Sequence, residues 1–107
     1  MQRTIKALVP MWVLAATVAI GDARADAAHG LALAEQWCSQ CHGVRPNEAS
    51  PTRGATSFSE IAAKASTTEM SLRVFMQTSH PTMPNFILEP DDLDDLVGYI
   101  LSLKSAR

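Results

Sequence analysis

The most restrictive feature of the chain is one short motif, Cys38-Ser39-Gln40-Cys41-His42, which contains both of its cysteines. A disulfide between Cys38 and Cys41 would close a very small loop and add little stability, because this stabilisation grows with loop length. A structural zinc site normally needs four ligands, which the two cysteines would have to share with the three histidines. Two thiols separated by two residues and followed at once by a histidine instead form the signature of covalent haem attachment.

The spacing of the motif has a mechanical reason. Two thiols that flank two residues can reach the two vinyl groups of haem and form thioethers, and the next histidine then lies beneath the macrocycle. A thioredoxin-like dithiol expects the same spacing inside a strand-helix-strand pattern, and the sequence shows no such pattern. We therefore predict one haem c per chain, bound covalently by Cys38 and Cys41 with iron held by His42; a redox dithiol and a zinc site stay open as alternatives.

The second iron ligand is predicted in the segment Ser79–Phe86. Met83 lies between Pro81 and Pro84, and proline restricts the backbone of its own residue and of the residue before it. The segment should be a stiff loop, which suits a thioether that must stay on iron. Met70 and Met76 fall in a helical pattern, where methionine is interpreted as core packing. We expect Met83 as the ligand, with His80 or an open position as alternatives.

The first 25 residues are typical of a secretory signal peptide. Arg3 and Lys6 precede an uncharged stretch over residues 7–20, and Ala23-Arg24-Ala25 has the small residues that signal peptidase accepts. A membrane anchor is the alternative, but a spanning helix needs about 20 apolar residues. We predict cleavage after Ala25, a single domain over residues 26–107, no membrane span after cleavage and a periplasmic location.

Removing 25 of the 107 residues leaves 82, with 6 basic and 10 acidic side chains and a formal charge of −4. Nucleic-acid binding needs a basic footprint and is not expected. An acidic carrier would be attracted to basic patches on its partners. A domain of this size has a marginal hydrophobic core, so a covalently attached group would be a substantial part of it.

Local patterns predict an all-α chain. A first helix should run from about Asp26 to Gln36, with His29 interpreted as solvated. Ser57 and Glu60 have the spacing of a capping box and should begin a helix through Lys64. Thr67 or Thr68 should cap the next helix. A last helix should begin at Pro90, with acidic residues in its first turn and one apolar stripe, formed by Leu93, Leu96, Val97, Ile100 and Leu103.

The chain resembles class I cytochromes c of the short bacterial monohaem kind. The resemblance covers residues 26–107 and depends on Gly30 in the first helix, the Cys38–His42 motif, Met83-Pro84-Asn85-Phe86 and the last helix. Gly30 would permit close approach of another helix. It implies a small cytochrome c fold of about four helices wrapped around one haem. It also implies that a backbone carbonyl, commonly of a proline, orients the iron-bound histidine. Of Pro46 and Pro51, we expect Pro51.

Ligation by a histidine and a methionine favours reduced iron and is typical of electron carriers. We expect Phe58, Phe75 and Phe86, with Trp37, to form an apolar haem pocket that excludes water. The predicted function is therefore electron transfer by a monomer that is not an enzyme, with a dehydrogenase, an oxidase or another cytochrome as redox partner. A haem sensor or small peroxidase, and a fixed subunit of a larger enzyme, are the alternatives.

Overall fold

The computed structural model describes residues 24–105, so most of the predicted signal peptide lies outside the described residues. Within this range the chain forms four helices and no strand, and the all-α prediction is confirmed. The helices are α1 (Ala27–Trp37), α2 (Phe58–Ala63), α3 (Glu69–Met76) and α4 (Pro90–Ser102). None of the helices in residues 24–105 is long and apolar enough to cross a membrane.

Side-chain caps explain where the helices begin. The Asp26 carboxylate accepts a hydrogen bond from the His29 backbone N–H at the start of α1. Ser57 and Glu60 form the predicted capping box of α2, each accepting from the backbone N–H of the other. Thr68 is the cap of α3, and Pro90 is at the first position of α4. Such caps satisfy N–H groups that have no partner inside a helix.

Helices α1 and α4 cross at Gly30. A Cβ atom at this position would lie 2.1 Å from the backbone carbonyl oxygen of Asp95 and 2.7 Å from Tyr99 Cβ. No side chain fits in so small a space, which confirms the predicted close approach of another helix. The core lies behind this crossing, where the predicted α4 stripe is buried, formed by Leu93, Leu96, Val97, Ile100 and Leu103.

Polar contacts hold α4 against α1 and against the segment that follows the cysteine motif. The Asp95 carboxylate accepts from the backbone N–H of Asp26 at 2.7 Å, and its other oxygen is 2.7 Å from His29 Nδ1. His29 is exposed, as the sequence interpretation expected, and an acidic side chain of α4 also reaches it across the crossing. The buried Tyr99 hydroxyl donates to the Val44 carbonyl at 2.5 Å, which joins α4 to the chain just after the cysteine motif.

Candidate haem site

The Cys38–His42 motif forms a helical turn at the end of α1. The backbone N–H groups of Cys41 and His42 both donate to the Cys38 carbonyl, at 3.2 and 2.9 Å. Residues three and four positions apart in such a turn lie on the same side. The turn therefore presents two thiols and an imidazole together, which is the arrangement that covalent haem attachment needs.

The two thiols of the motif are free, and they differ in exposure: Cys38 is partly buried and Cys41 is exposed. Burial raises the pKa of the Cys38 thiol to about 11, and the neighbouring Cys41 adds to the shift. Cys38 is therefore a protonated thiol at neutral pH. Because the thiolate is the redox nucleophile, this environment is unfavourable for a reactive dithiol. Within residues 24–105 no group of three or more His, Cys, Asp or Glu side chains is arranged to hold a metal ion such as zinc.

The His42 ring is oriented by the backbone carbonyl of Thr56. Its Nδ1–H donates to that oxygen at 2.6 Å, since a carbonyl can only accept. Neutral imidazole has a single N–H, so the lone pair is on Nε2, the nitrogen left to bind a metal. A hydrogen bond of this kind commonly orients metal-bound histidines. The prediction of Pro51 as the acceptor is wrong.

The path of the loop over residues 43–57 explains why Thr56 takes this place. Thr52 N–H donates to the Cys41 carbonyl at 3.3 Å, so the loop contacts the motif next to the exposed Pro51, while the His42 Nδ1–H is taken by Thr56. Phe58 N–H donates to the Gly43 carbonyl at 2.9 Å, so the chain returns to the motif two residues after Thr56. An earlier part of the loop also requires glycine at position 43, where a Cβ would lie 2.1 Å from the Glu48 carbonyl oxygen.

Each of the three predicted pocket phenylalanines lies against another aromatic ring of the site region. Phe58 is buried with its ring centroid 5.6 Å from that of His42. Phe75 lies 4.0 Å from the His80 ring, and Phe86 lies 6.1 Å from the Trp37 ring. The sequence did not indicate these pairings, because each joins residues from separate segments of the chain. Their role as a haem pocket stays a prediction.

The two candidate second ligands lie at opposite ends of one tight turn, His80-Pro81-Thr82-Met83. Proline at the second position and a positive φ at the third, 70° at Thr82, are the marks of a type II turn. Such a turn brings its first and fourth residues together, and His80 Nε2 is 2.9 Å from Met83 Sδ. A positive φ is unfavourable for a β-branched residue, so the turn is strained next to Met83.

The other two methionines of this region have different surroundings. Met70 is 69% exposed, so its interpretation as a core residue is wrong: it lies on the face of α3 that points to solvent. Met76 is partly buried against the core, as expected for a packing residue. It also lines a small apolar cavity beside the Cys38 thiol.

That cavity is where the cysteine motif, α3 and the methionine segment meet. It is lined by Cys38, by Met76 and by Phe86, together with four other apolar side chains, which are Leu33, Trp37, Leu88 and Leu96. Trp37 and Phe75 have 48% and 50% of their surface exposed, which is apolar area available to a flat hydrophobic group. The site region contains the groups that haem c requires, which are two thiols, an imidazole with a free Nε2, a thioether and apolar walls.

A larger and more polar groove lies between residues 47–55 and α2. Its lining contains none of the predicted haem-binding residues, and its walls are mostly hydroxyl and charged side chains. Of the predicted haem-binding residues, Cys38 and Phe86 line the smaller apolar cavity, whereas Cys41, His42 and Met83 lie outside its lining.

The chain is similar to known proteins over most of its described length. The family model described as "Cytochrome c" matches residues 27–104. Cytochrome c-552 of Bradyrhizobium diazoefficiens is 36% identical to the chain over 80 residues, which make up 75% of this chain and 77% of that protein. No solved structure shows a significant match. The region matched by the family model includes the cysteine motif, the loop of Thr56, and Met83.

Proposed function

The chain belongs to the cytochrome c family, and on that premise we propose that it carries single electrons between larger redox proteins in the periplasm. Membership of the family implies covalent haem c with iron, and electron transfer as the general activity. The observation that carries the proposal is the helical turn of Cys38–His42 with the His42 Nδ1–H held by the Thr56 carbonyl.

We propose that Cys38 and Cys41 form the two thioethers and that His42 is one axial ligand. The Thr56 carbonyl keeps the imidazole in the tautomer with a free Nε2 and limits rotation of the ring. Bound haem supplies the one-electron couple of its iron. A ligand whose orientation is fixed changes little between oxidation states, and a fixed geometry suits fast electron transfer.

Met83 is the proposed second axial ligand. A thioether raises the reduction potential relative to a second imidazole, and occupation of both axial positions leaves oxygen or peroxide no open site. The strained turn at Thr82 and the two flanking prolines hold the thioether in a stiff loop. Phe58, Phe75 and Phe86 are proposed to cover the haem and to exclude water.

The proposed location and partners come from the sequence. Residues 1–25 have the pattern of a signal peptide, and cleavage after Ala25 would leave a domain with a formal charge of −4. We propose that this acidic monomer binds basic patches on a dehydrogenase, an oxidase or another cytochrome, and that it is a carrier without enzymatic activity of its own.

Mass spectrometry of the denatured protein tests the proposal. The full gene is expressed in cells that export proteins and attach haem c, and the expected mass is that of residues 26–107 plus one haem. Cys38→Ala or Cys41→Ala should leave at most one thioether and reduce the yield of stable protein. A mature chain of the correct mass without haem would contradict the proposal, and a haem-bearing chain with a different start would correct the cleavage site alone.

A further inference from the structure

His80 has the same local arrangement as the proposed iron ligand His42. The Nδ1 of each ring lies against a backbone carbonyl: 2.9 Å from Thr78 for His80, and 2.6 Å from Thr56 for His42. Since a carbonyl accepts only, Nδ1 is the protonated nitrogen of each neutral ring. In both residues Nε2 therefore carries the lone pair, and this is the nitrogen that a metal would take.

The Nε2 of His80 is directed at the sulfur of Met83. The two atoms are 2.9 Å apart, and in this tautomer neither has a hydrogen to share with the other. Two electron-pair donors at this distance are a poor contact on their own. The arrangement becomes favourable when both atoms can reach a single metal position, because either the imidazole nitrogen or the thioether can then bind the metal while the other remains beside it.

Packing restricts the ring of His80 as well as its hydrogen bond. The ring is partly buried and lies 4.0 Å from the ring of Phe75, with 35° between the planes. Pro81 follows His80 directly and biases its backbone toward extended conformations. A side chain held by a stacked ring and a carbonyl loses little conformational entropy on binding a metal, so the cost of ligation is low.

We propose that His80 is a reserve iron ligand, which takes the second axial position when the Met83 thioether is removed from it. The inference rests on the proposed role of Met83 as the resident ligand. Replacement of a thioether by an imidazole would keep the iron six-coordinate and low-spin. It would also lower the reduction potential, because the softer thioether favours reduced iron. The protein would thus change potential without opening its iron to small ligands.

The test compares haem-loaded Met83→Ala with the double variant Met83→Ala/His80→Ala. The single variant should lose the weak sulfur-to-iron absorption at the red edge of the visible spectrum but keep a low-spin ferric spectrum. The double variant should become high-spin. If His80 occupies the iron about nine-tenths of the time, ferrous Met83→Ala should bind carbon monoxide about tenfold more weakly than the double variant.

Two controls separate His80 from other sources of imidazole. Met83→Ala/His29→Ala should behave like Met83→Ala, because His29 is held by Asp95 on the α1–α4 crossing. Dilution should leave the spectrum of Met83→Ala unchanged, since the proposed ligand belongs to the same chain. A return to the high-spin state in either control would overturn the proposal in favour of another histidine or a second molecule.

Spectra of the single variants also distinguish a reserve role of His80 from no role and from a resident role. High-spin spectra and equal carbon monoxide affinities for Met83→Ala and the double variant would overturn the reserve role while leaving the proposed function intact. His80→Ala alone should retain the sulfur-to-iron absorption. Loss of a low-spin spectrum in His80→Ala, with little change in Met83→Ala, would make His80 the resident ligand and overturn both the inference and the assignment of Met83.

Discussion

Asp95 accepts a hydrogen bond from the backbone nitrogen of Asp26 at 2.7 Å, and its second carboxylate oxygen lies 2.7 Å from His29 Nδ1. One side chain of α4 thus holds both the cap and the first turn of α1. Cleavage after Ala25 would turn the Asp26 nitrogen into an α-ammonium group, so the carboxylate would then face a positive charge where the longer chain has an amide. Asp95 is the polar centre of the helix crossing.

Asp95→Asn should destabilise the folded protein most in mildly acidic solution. The pKa of Asp95 is lowered by its hydrogen bonds from His29 and from the Asp26 N–H, so its contribution is present above about pH 4 and lost as the pH falls. The pKa of His29 is raised, chiefly by its hydrogen bond to Asp95 and then by the charges of Asp95, Asp92 and Asp26. That contribution is complete below about pH 6.5 and lost as the pH rises through the folded value.

Circular dichroism checks this pH range by measuring the melting temperatures of haem-loaded wild type and Asp95→Asn in acidic and neutral solution. The difference should be largest between about pH 4 and 6.5. Asp91→Asn is the matched control, because Asp91 is an exposed carboxylate in the first turn of the same helix. Coincident pH profiles for wild type and Asp95→Asn would show that the contacts around Asp95 add no stability.

Gly30→Ala should weaken the fold by forcing α1 and α4 apart. The new Cβ would meet the Asp95 carbonyl oxygen at 2.1 Å, and backbone atoms of a helix cannot move aside as a flexible side chain can. Overpacking of this kind costs about 1–3 kcal/mol and occasionally more. Denaturant unfolding of the haem-loaded protein measures the loss, and an unchanged midpoint would mean that the crossing is looser than described.

Gly98→Ala provides both a control for Gly30→Ala and a test of processing. A Cβ at Gly98 would lie 2.6 Å from Ala25 Cβ and 3.9 Å from Ala25 Cα, and within residues 24–105 it would meet no other heavy atom at less than 4 Å outside the backbone of α4 itself. In a chain that begins at Asp26, the substitution should stabilise α4 by up to about 1 kcal/mol, because alanine is the better helix former. A chain that retains Ala25 should gain less or lose stability. Equal gains in the two chains would contradict the contact between Gly98 and Ala25.

Tyr99→Phe should cost about 1–2 kcal/mol of unfolding free energy, since it leaves the Val44 carbonyl without its buried donor. Burial also raises the pKa of Tyr99. Its phenol should therefore ionise above the ordinary tyrosine value in the native protein, as followed by ultraviolet absorption during alkaline titration. Tyr99→Leu, which removes the ring as well as the hydroxyl, should reduce the unfolding free energy much more than Tyr99→Phe. Ordinary ionisation together with unchanged stability would show that the hydroxyl is solvated.

Features that depend on near neighbours in sequence were predictable. The caps at Ser57 and Thr68, and the buried stripe of α4, each follow from residues within one or two helical turns. The small residue at Gly30 indicated a close helix, although the sequence alone did not name Asp95 as its neighbour. The motif Cys38–His42 indicated a haem by its spacing, and the structure adds the turn that places its three side chains together.

Features that depend on contacts between distant segments were missed. The acceptor for His42 depends on how the loop returns to Gly43, and no local pattern distinguishes the Thr56 carbonyl from that of Pro51. Met70 falls at a helical spacing, but a helix as short as α3 buries only part of its surface, so periodicity did not show which side faces solvent. The pairing of His80 with Met83 had a signal in the sequence, namely Pro81 at the second position of a four-residue turn.

The hydrogen bond from His42 to the Thr56 carbonyl also determines where this chain can accept inserted residues. Exposed loop tips usually tolerate insertions, and Pro51–Gly54 is such a tip: its residues are exposed, and Gly54 has a φ of 87° with open space around it. A tag or sensor peptide inserted between Arg53 and Gly54 should leave the haem site unchanged. One extra residue between Thr56 and Phe58 should be far more harmful, because it would move a backbone oxygen on which the orientation of His42 depends.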